Sequence, residues 1–167
     1  SGTDHPPVVL VTGASTGIGL ELVRRLAQGQ WTVIATARQI SLQRFCEAGL
    51  FENPSLLIRP LDVTQVAERE TLMSEIEERF GALDALVNNA GIIGFDGALE
   101  PKPEAFRRLM ETNLFSVYEL SIQATPHLDT HSAIIPGDQK QDPVINPLAP
   151  QSPGLGHTQG VRLDRLR

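Results

Sequence analysis

Residues 8–19, VVLVTGASTGIG, restrict the possible folds of this chain more than any other stretch. Residues 8–11 form an apolar run of strand length. The pattern breaks at Thr12-Gly13 and re-enters at Gly17-Ile18-Gly19, after which Leu20, Leu22, Val23 and Leu26 recur at helical spacing. A buried strand, a glycine-rich turn and a helix, in that order, make the arrangement that holds the phosphates of a dinucleotide. In that reading Gly13 allows a sharp turn, Gly17 lets the backbone approach a pyrophosphate, and Gly19 lets the helix pack on the strand. The free amides of the helix start then face the anion. Taken alone, the same glycines also describe a tight strand-to-helix turn with no ligand. What favours the binding reading is Asn88-Asn89-Ala90-Gly91, far along the chain, at the end of another apolar strand.

The remaining composition bounds the answer. At 167 residues the chain is one domain long and can bury a core. A net charge of -6 without any basic run argues against a nucleic-acid partner. Cys46 is the single cysteine, so no internal disulfide forms, and a reducing, cytoplasmic setting is expected. No apolar run approaches the ~20 residues of a membrane helix, so no membrane partner is expected. Residues 1–7 lack the basic start and apolar middle of a secretion signal and read as an extended lead-in through Pro6 and Pro7. The missing initiator Met reads as a processed or engineered start, or as a fragment.

Strands and helices alternate along the chain. A helix is predicted over residues 18–28 with Gly29 as a left-handed cap, and a strand over residues 31–37. Ser41 is expected to cap a short helix reaching Leu50. Strands follow over residues 56–61 and 83–87, separated by a helix from Val66 to Phe80 that Gly81 ends. After a loop containing Gly94, Gly97 and Pro101, Pro103 opens a helical stretch to about residue 125, as two helices or one bent one. Residues 132–135 suggest a brief fifth strand. The fold class is therefore α/β: a parallel sheet of four to five strands with helices on both faces, in three layers. Residues 136–167 show no sustained period and hold five of the 12 prolines, which predicts an irregular or disordered tail.

With these elements in place, Thr12-Gly13-Ala14-Ser15-Thr16-Gly17-Ile18-Gly19 resembles the TGxxxGxG cofactor loop of the short-chain dehydrogenase/reductase family. Asn88-Asn89-Ala90-Gly91 resembles that family's NNAG segment, Asp62-Val63 its adenine-side pair, and Asn113 its structural and catalytic asparagine. The resemblance spans residues 8–135 and implies a doubly wound Rossmann sheet, ordered 3-2-1-4, perhaps with strand 5, on which alcohols are oxidised or carbonyls reduced with NAD(P). It implies cofactor contacts at Gly13, Ser15, Thr16, Gly17, Ile18, Gly19, Asp62, Val63, Asn89, Ala90 and Gly91, and a catalytic role for Asn113 through a kink whose freed carbonyl holds a relay water. Each residue keeps a simpler alternative. Asp62 would cap the next helix, Asn89 and Gly91 would serve the turn, and Asn113 would be an exposed helix position or a kink maker.

The end of the second strand bears on cofactor choice. A carboxylate there binds the ribose 2′-hydroxyl of NAD, whereas this chain has Thr36-Ala37-Arg38 and no acid until Glu47. Arg38 offers a planar cation suited to a 2′-phosphate, so NADP(H) is expected over NAD(H); the alternative is a solvated surface arginine.

The departures from the family are as informative. Its chemistry uses a Tyr as proton donor, a Lys four residues later and a substrate-polarising Ser. The single tyrosine here is Tyr118, followed at the lysine position by Ile122, and it reads as a helix packing residue. Pro136-Gly137-Asp138 stands where the serine would follow the fifth strand, and Lys140 has no tyrosine at the right spacing. His127 and His131 would share a helical face, but Pro126 breaks that helix and no third ligand is spaced to complete a metal site. His157 reads as solvated, and Glu75, Glu77 and Glu78 as an exposed helix face. Three readings follow: a truncated or junction-altered dehydrogenase, a non-catalytic NADP(H)-binding or regulatory module, or an active reductase using water or Tyr118 as its acid. An unpartnered sheet edge at strand four or five also predicts self-association.

Overall fold

The computed structural model describes residues 5–93 and 102–136. Its centre is a parallel five-stranded sheet in the order β3-β2-β1-β4-β5. The strands are β1 (Val8–Val11), β2 (Thr32–Ala37), β3 (Leu56–Pro60), β4 (Leu83–Asn88) and β5 (Leu128–Pro136). The helices are α1 (Gly17–Gln28), α2 (Gln43–Glu47), α3 (Val66–Phe80), α4 (Pro103–Met110) and α5 (Ser116–Ala124). The doubly wound α/β expectation and its strand order hold.

Strand periodicity explains the three layers. Successive side chains of a strand point to opposite faces, so a strand buried on both sides must be apolar throughout. In β1, Val8 and Leu10 join one core with Leu72, Met73 and Ile76 of α3 and Leu120 and Ala124 of α5. Val9 and Val11 join the other, with Val23 of α1 and Phe45 of α2. Each β1 residue pairs in register with β2, from Val8 opposite Thr32 to Val11 opposite Ala35, and β4 flanks the other side. The carboxyl ends of β1, β2, β3 and β4 therefore finish side by side, which is where open α/β sheets bind ligands.

Several local expectations are corrected. Gly29 ends α1 in an extended conformation (φ -90°), its amide bonded to the Leu26 carbonyl, so no left-handed residue is needed. Gly81 does end α3 in the left-handed region (φ 73°). Ser41 caps nothing; it lies buried in a single tight turn, Gln39–Ser41, and α2 is only five residues long. β5 is longer than expected and pairs with β4 through a register shift after Leu83. His127 sits in a tight turn and His131 on β5, so the two share no helical face. The helical stretch after Pro103 is one rod interrupted by a π-type turn at Glu111–Phe115, and Asn113 lies at its middle. Gly94, Gly97, Pro101, Lys140, His157 and residues 137–167 lie outside the described residues.

A candidate dinucleotide crevice

The crevice begins at the turn after β1. Gly13 adopts φ +60°, and a Cβ there would lie 2.6 Å from the Ala90 Cα. The position thus needs glycine twice, for its backbone angle and for the close approach of the segment after β4. Gly17, at φ +57°, faces open space, so its backbone is accessible from outside the loop. A Cβ at Gly19 would land on the Asn89 amide, so this glycine lets the head of α1 sit against the β4 turn. No side chain caps α1, and no acidic residue occupies its first turn. Its leading amides and the positive end of its dipole are left for an anion.

Thr12 locks this turn to the end of β4. Its Oγ1 accepts from the backbone amides of Asn89 (3.1 Å) and Ala90 (3.0 Å). The Asn89 side-chain amide donates to the carbonyls of Thr12 (3.1 Å) and Gly13 (2.9 Å). Asn89 is therefore a brace between two strand ends, and its position fixes the glycine loop. Sequence reasoning passed over Thr12, although a hydroxyl at a strand end ahead of a glycine turn signals such a brace.

The remaining expected residues arrive from three directions. Asp62 sits in the turn before α3, where its Oδ1 accepts from the Thr64 amide (3.0 Å) and hydroxyl (2.7 Å). Its own amide donates to Glu68 (2.6 Å). Asp62 therefore holds a local turn but does not cap α3, whose N-cap is Gln65 with no side-chain cap bond, and the same residue lines the crevice. Asn113 Oδ1 accepts from the Ile92 amide and its Nδ2 donates to the Ile92 carbonyl, both at 2.8 Å. This two-point pairing ties the π-type turn to the chain leaving β4. Asn113 is both exposed and at the helix irregularity, so neither simple alternative excludes the other. Arg38 is exposed at the end of β2 and makes no ion pair among the described residues.

Together these segments line a cavity of about 1020 Å³ across the strand ends. Gly13, Ser15, Thr16, Ile18, Arg38, Asp62, Val63, Asn89, Ala90, Gly91 and Asn113 all border it, while Gly17 and Gly19 shape the loop at its rim. Arg44, Ser41 and Arg108 also border it and were not expected. Ile18 is 77% exposed, an apolar side chain held open at the mouth. Tyr118 does not line the cavity, and at 66% exposure it is not the packed helix residue expected from sequence. The volume lies at the upper end of the range for small-molecule sites. A glycine loop open at Gly17, an uncapped helix head and a cation at one end fit an elongated ligand carrying phosphates.

Comparison with known proteins agrees with this geometry. Residues 7–136 match the short chain dehydrogenase family. L-fucose dehydrogenase of Rattus norvegicus is 38% identical over 122 residues, covering 72% of this chain and 44% of that protein. A structure of actinorhodin polyketide ketoreductase with NADPH shares 39% identity at a TM-score of 0.63, covering 71% of this chain and 46% of that one. NADPH-bound carbonyl reductase from chicken fatty liver shares 31% identity at a TM-score of 0.65, covering 74% and 52%. The chain spans about half the length of the curated relatives it matches.

Proposed function

Since the chain belongs to the short-chain dehydrogenase family, we propose that it binds a nicotinamide dinucleotide in this crevice, NADP(H) in preference to NAD(H), as the cofactor-holding part of a carbonyl or alcohol oxidoreductase. The observation that carries the proposal is the convergence of the α1 head, Arg38, the Asp62 turn, the Asn89–Gly91 turn and Asn113 on one cavity. The uncapped amides of α1 would hold the diphosphate. Arg38, with no carboxylate beside it on β2, would take a 2′-phosphate bidentately. Two of the related structures carry NADPH, which supports the same preference. When bound, the nicotinamide supplies or accepts a hydride. Asn113 would fix the chain at Ile92, on the side of the crevice away from Arg38.

We further propose that these 167 residues bind without turning over. Their one tyrosine, Tyr118, has Ile122 at the position of the family's lysine, and it lies off the cavity. A phenol with no cation beside it is a poor proton relay at neutral pH. The reading of a truncated or junction-altered dehydrogenase and that of a binding module share this expectation. The test is thermal stability with NADPH, followed by NADPH oxidation against a panel of carbonyls. Stabilisation without turnover is expected. Turnover by pure protein that is lost in Tyr118→Phe would overturn the impaired reading, and no stabilisation at millimolar NADPH would overturn the binding reading.

A further inference from the structure

Arg69, on the first turns of α3, is 1% exposed and is among the largest fully buried side chains of the described residues. A buried guanidinium needs partners for its donors. Nη1 donates to the Val63 carbonyl at 2.6 Å, Nε donates to Gln123 Oε1 at 2.9 Å, and Nη2 pairs with the Glu119 carboxylate. Its neighbour Glu68 accepts from the Asp62 amide. Adjacent α3 residues therefore grip both members of the Asp62-Val63 segment. Arg69 alone also reaches α5, through two residues one turn apart. An ion pair between a buried guanidinium and a half-exposed carboxylate is weak evidence for stability, because an apolar side chain in place of the arginine often serves as well. What the geometry does provide is a fixed position for the turn after β3.

We propose that Arg69 is a positioning residue for the adenosine half of the crevice, acting through the Val63 carbonyl. The proposal rests on the dinucleotide reading above. In a doubly wound sheet the adenosine ribose lies at the end of β2, next to β3 in the strand order. Val63 and Asp62 form the wall on that side, whereas Asn113 and Ile92 form the wall on the other. Loosening Arg69 should therefore harm one half of the site selectively.

The experiment titrates Arg69→Met and the unaltered chain with NADPH, with 2′,5′-ADP (the adenosine half) and with reduced nicotinamide mononucleotide. NADPH and 2′,5′-ADP should each weaken about tenfold, within the range for a residue that touches no ligand. Binding of the mononucleotide should stay within about twofold, and Arg69→Lys, which keeps one donor near Val63, should recover part of the loss. If Arg69→Met does not fold, the double variant Glu119→Ala, Gln123→Ala decides, since it frees the guanidinium from α5 while leaving its bond to Val63. A smaller loss confined to the adenosine-bearing ligands is expected there. Equal loss for all three ligands, or loss for none, overturns the inference. Failure of the unaltered chain to bind NADPH overturns the dinucleotide reading instead.

Discussion

The Thr12 hydroxyl does two jobs whose removal can be measured. It accepts from two amides at the β4 exit and so sets the distance between that exit and the glycine loop. Thr12→Val preserves shape but takes the side-chain acceptor from the Ala90 amide, while the Asn89 amide keeps the Val87 carbonyl at 3.0 Å, at a cost of about 1–2 kcal/mol. A denaturant midpoint should fall accordingly, together with weaker NADPH binding; an unchanged midpoint would show that the brace contributes nothing. Arg38 gives the complementary test of ligand recognition. It is exposed and makes no ion pair among the described residues, so Arg38→Ala should leave stability nearly unchanged while weakening NADPH by about tenfold or more and NADH hardly at all, because an exposed charge adds little to folding but a charge-assisted phosphate contact adds much. Titration of both nucleotides checks this, and equal loss for each would remove Arg38 from phosphate recognition. The glycines of residues 12–19 were readable in the sequence because their requirement is local. Arg69 was not: nothing in its neighbourhood marks it as buried, and its side-chain partners lie 50 and 54 residues away.

Among the elements, α3 is anchored at both ends, and its outer anchor depends on pH. Arg59 on β3 grips Glu75 through two nitrogens, at 2.6 and 2.9 Å, and Arg79 joins at 2.7 Å. The hydrogen bond from Arg59, with the charges of Arg59 and Arg79, holds the Glu75 carboxyl below the ordinary glutamate value against partial desolvation. A carboxylate with a depressed folded pKa contributes stability that is complete above its ordinary value and is lost as pH falls through the depressed one. The unaltered chain should therefore exceed Glu75→Gln by an amount on the order of 1 kcal/mol at neutral pH, with the difference vanishing in strong acid. Melting curves from pH 7 to 2 check this, and a constant difference would contradict it. The expectation of a merely solvated acidic face fits Glu77 and Glu78 but not Glu75. Helix periodicity identifies which face is polar; it does not show that a strand arginine lies opposite. By contrast the irregularity in the rod after Pro103 was legible, since a polar asparagine among leucines and valine marks one, and a π-type turn lies there. Its partner Ile92 was not, because the pairing uses backbone atoms that any residue supplies.

Across the whole chain, alternating apolar strands and amphipathic helices were enough to predict a parallel sheet with helices on both faces, while its strand order came from the family resemblance. The crevice follows from that order, because strand ends that finish together make one site from distant segments. The same architecture leaves β5 bonded to β4 alone among the described residues, with Ile135 40% exposed. Phe106, Leu114, Phe115, Tyr118 and Ile122 are also exposed along the α4–α5 rod. We expect this chain to self-associate through the β5 edge, because an unpaired strand offers ready hydrogen-bonding groups. Sedimentation at micromolar concentration should show species larger than a monomer that diminish in Ile135→Lys, and a monodisperse monomer would refute the expectation. If the cavity spanning the strand ends is a nucleotide site with a cation for a 2′-phosphate, as proposed, parallel calorimetric titrations should show saturable binding of both NADPH and NADH, with NADPH tighter by about tenfold or more. No binding of either, or equal affinity for the two, would contradict the proposal.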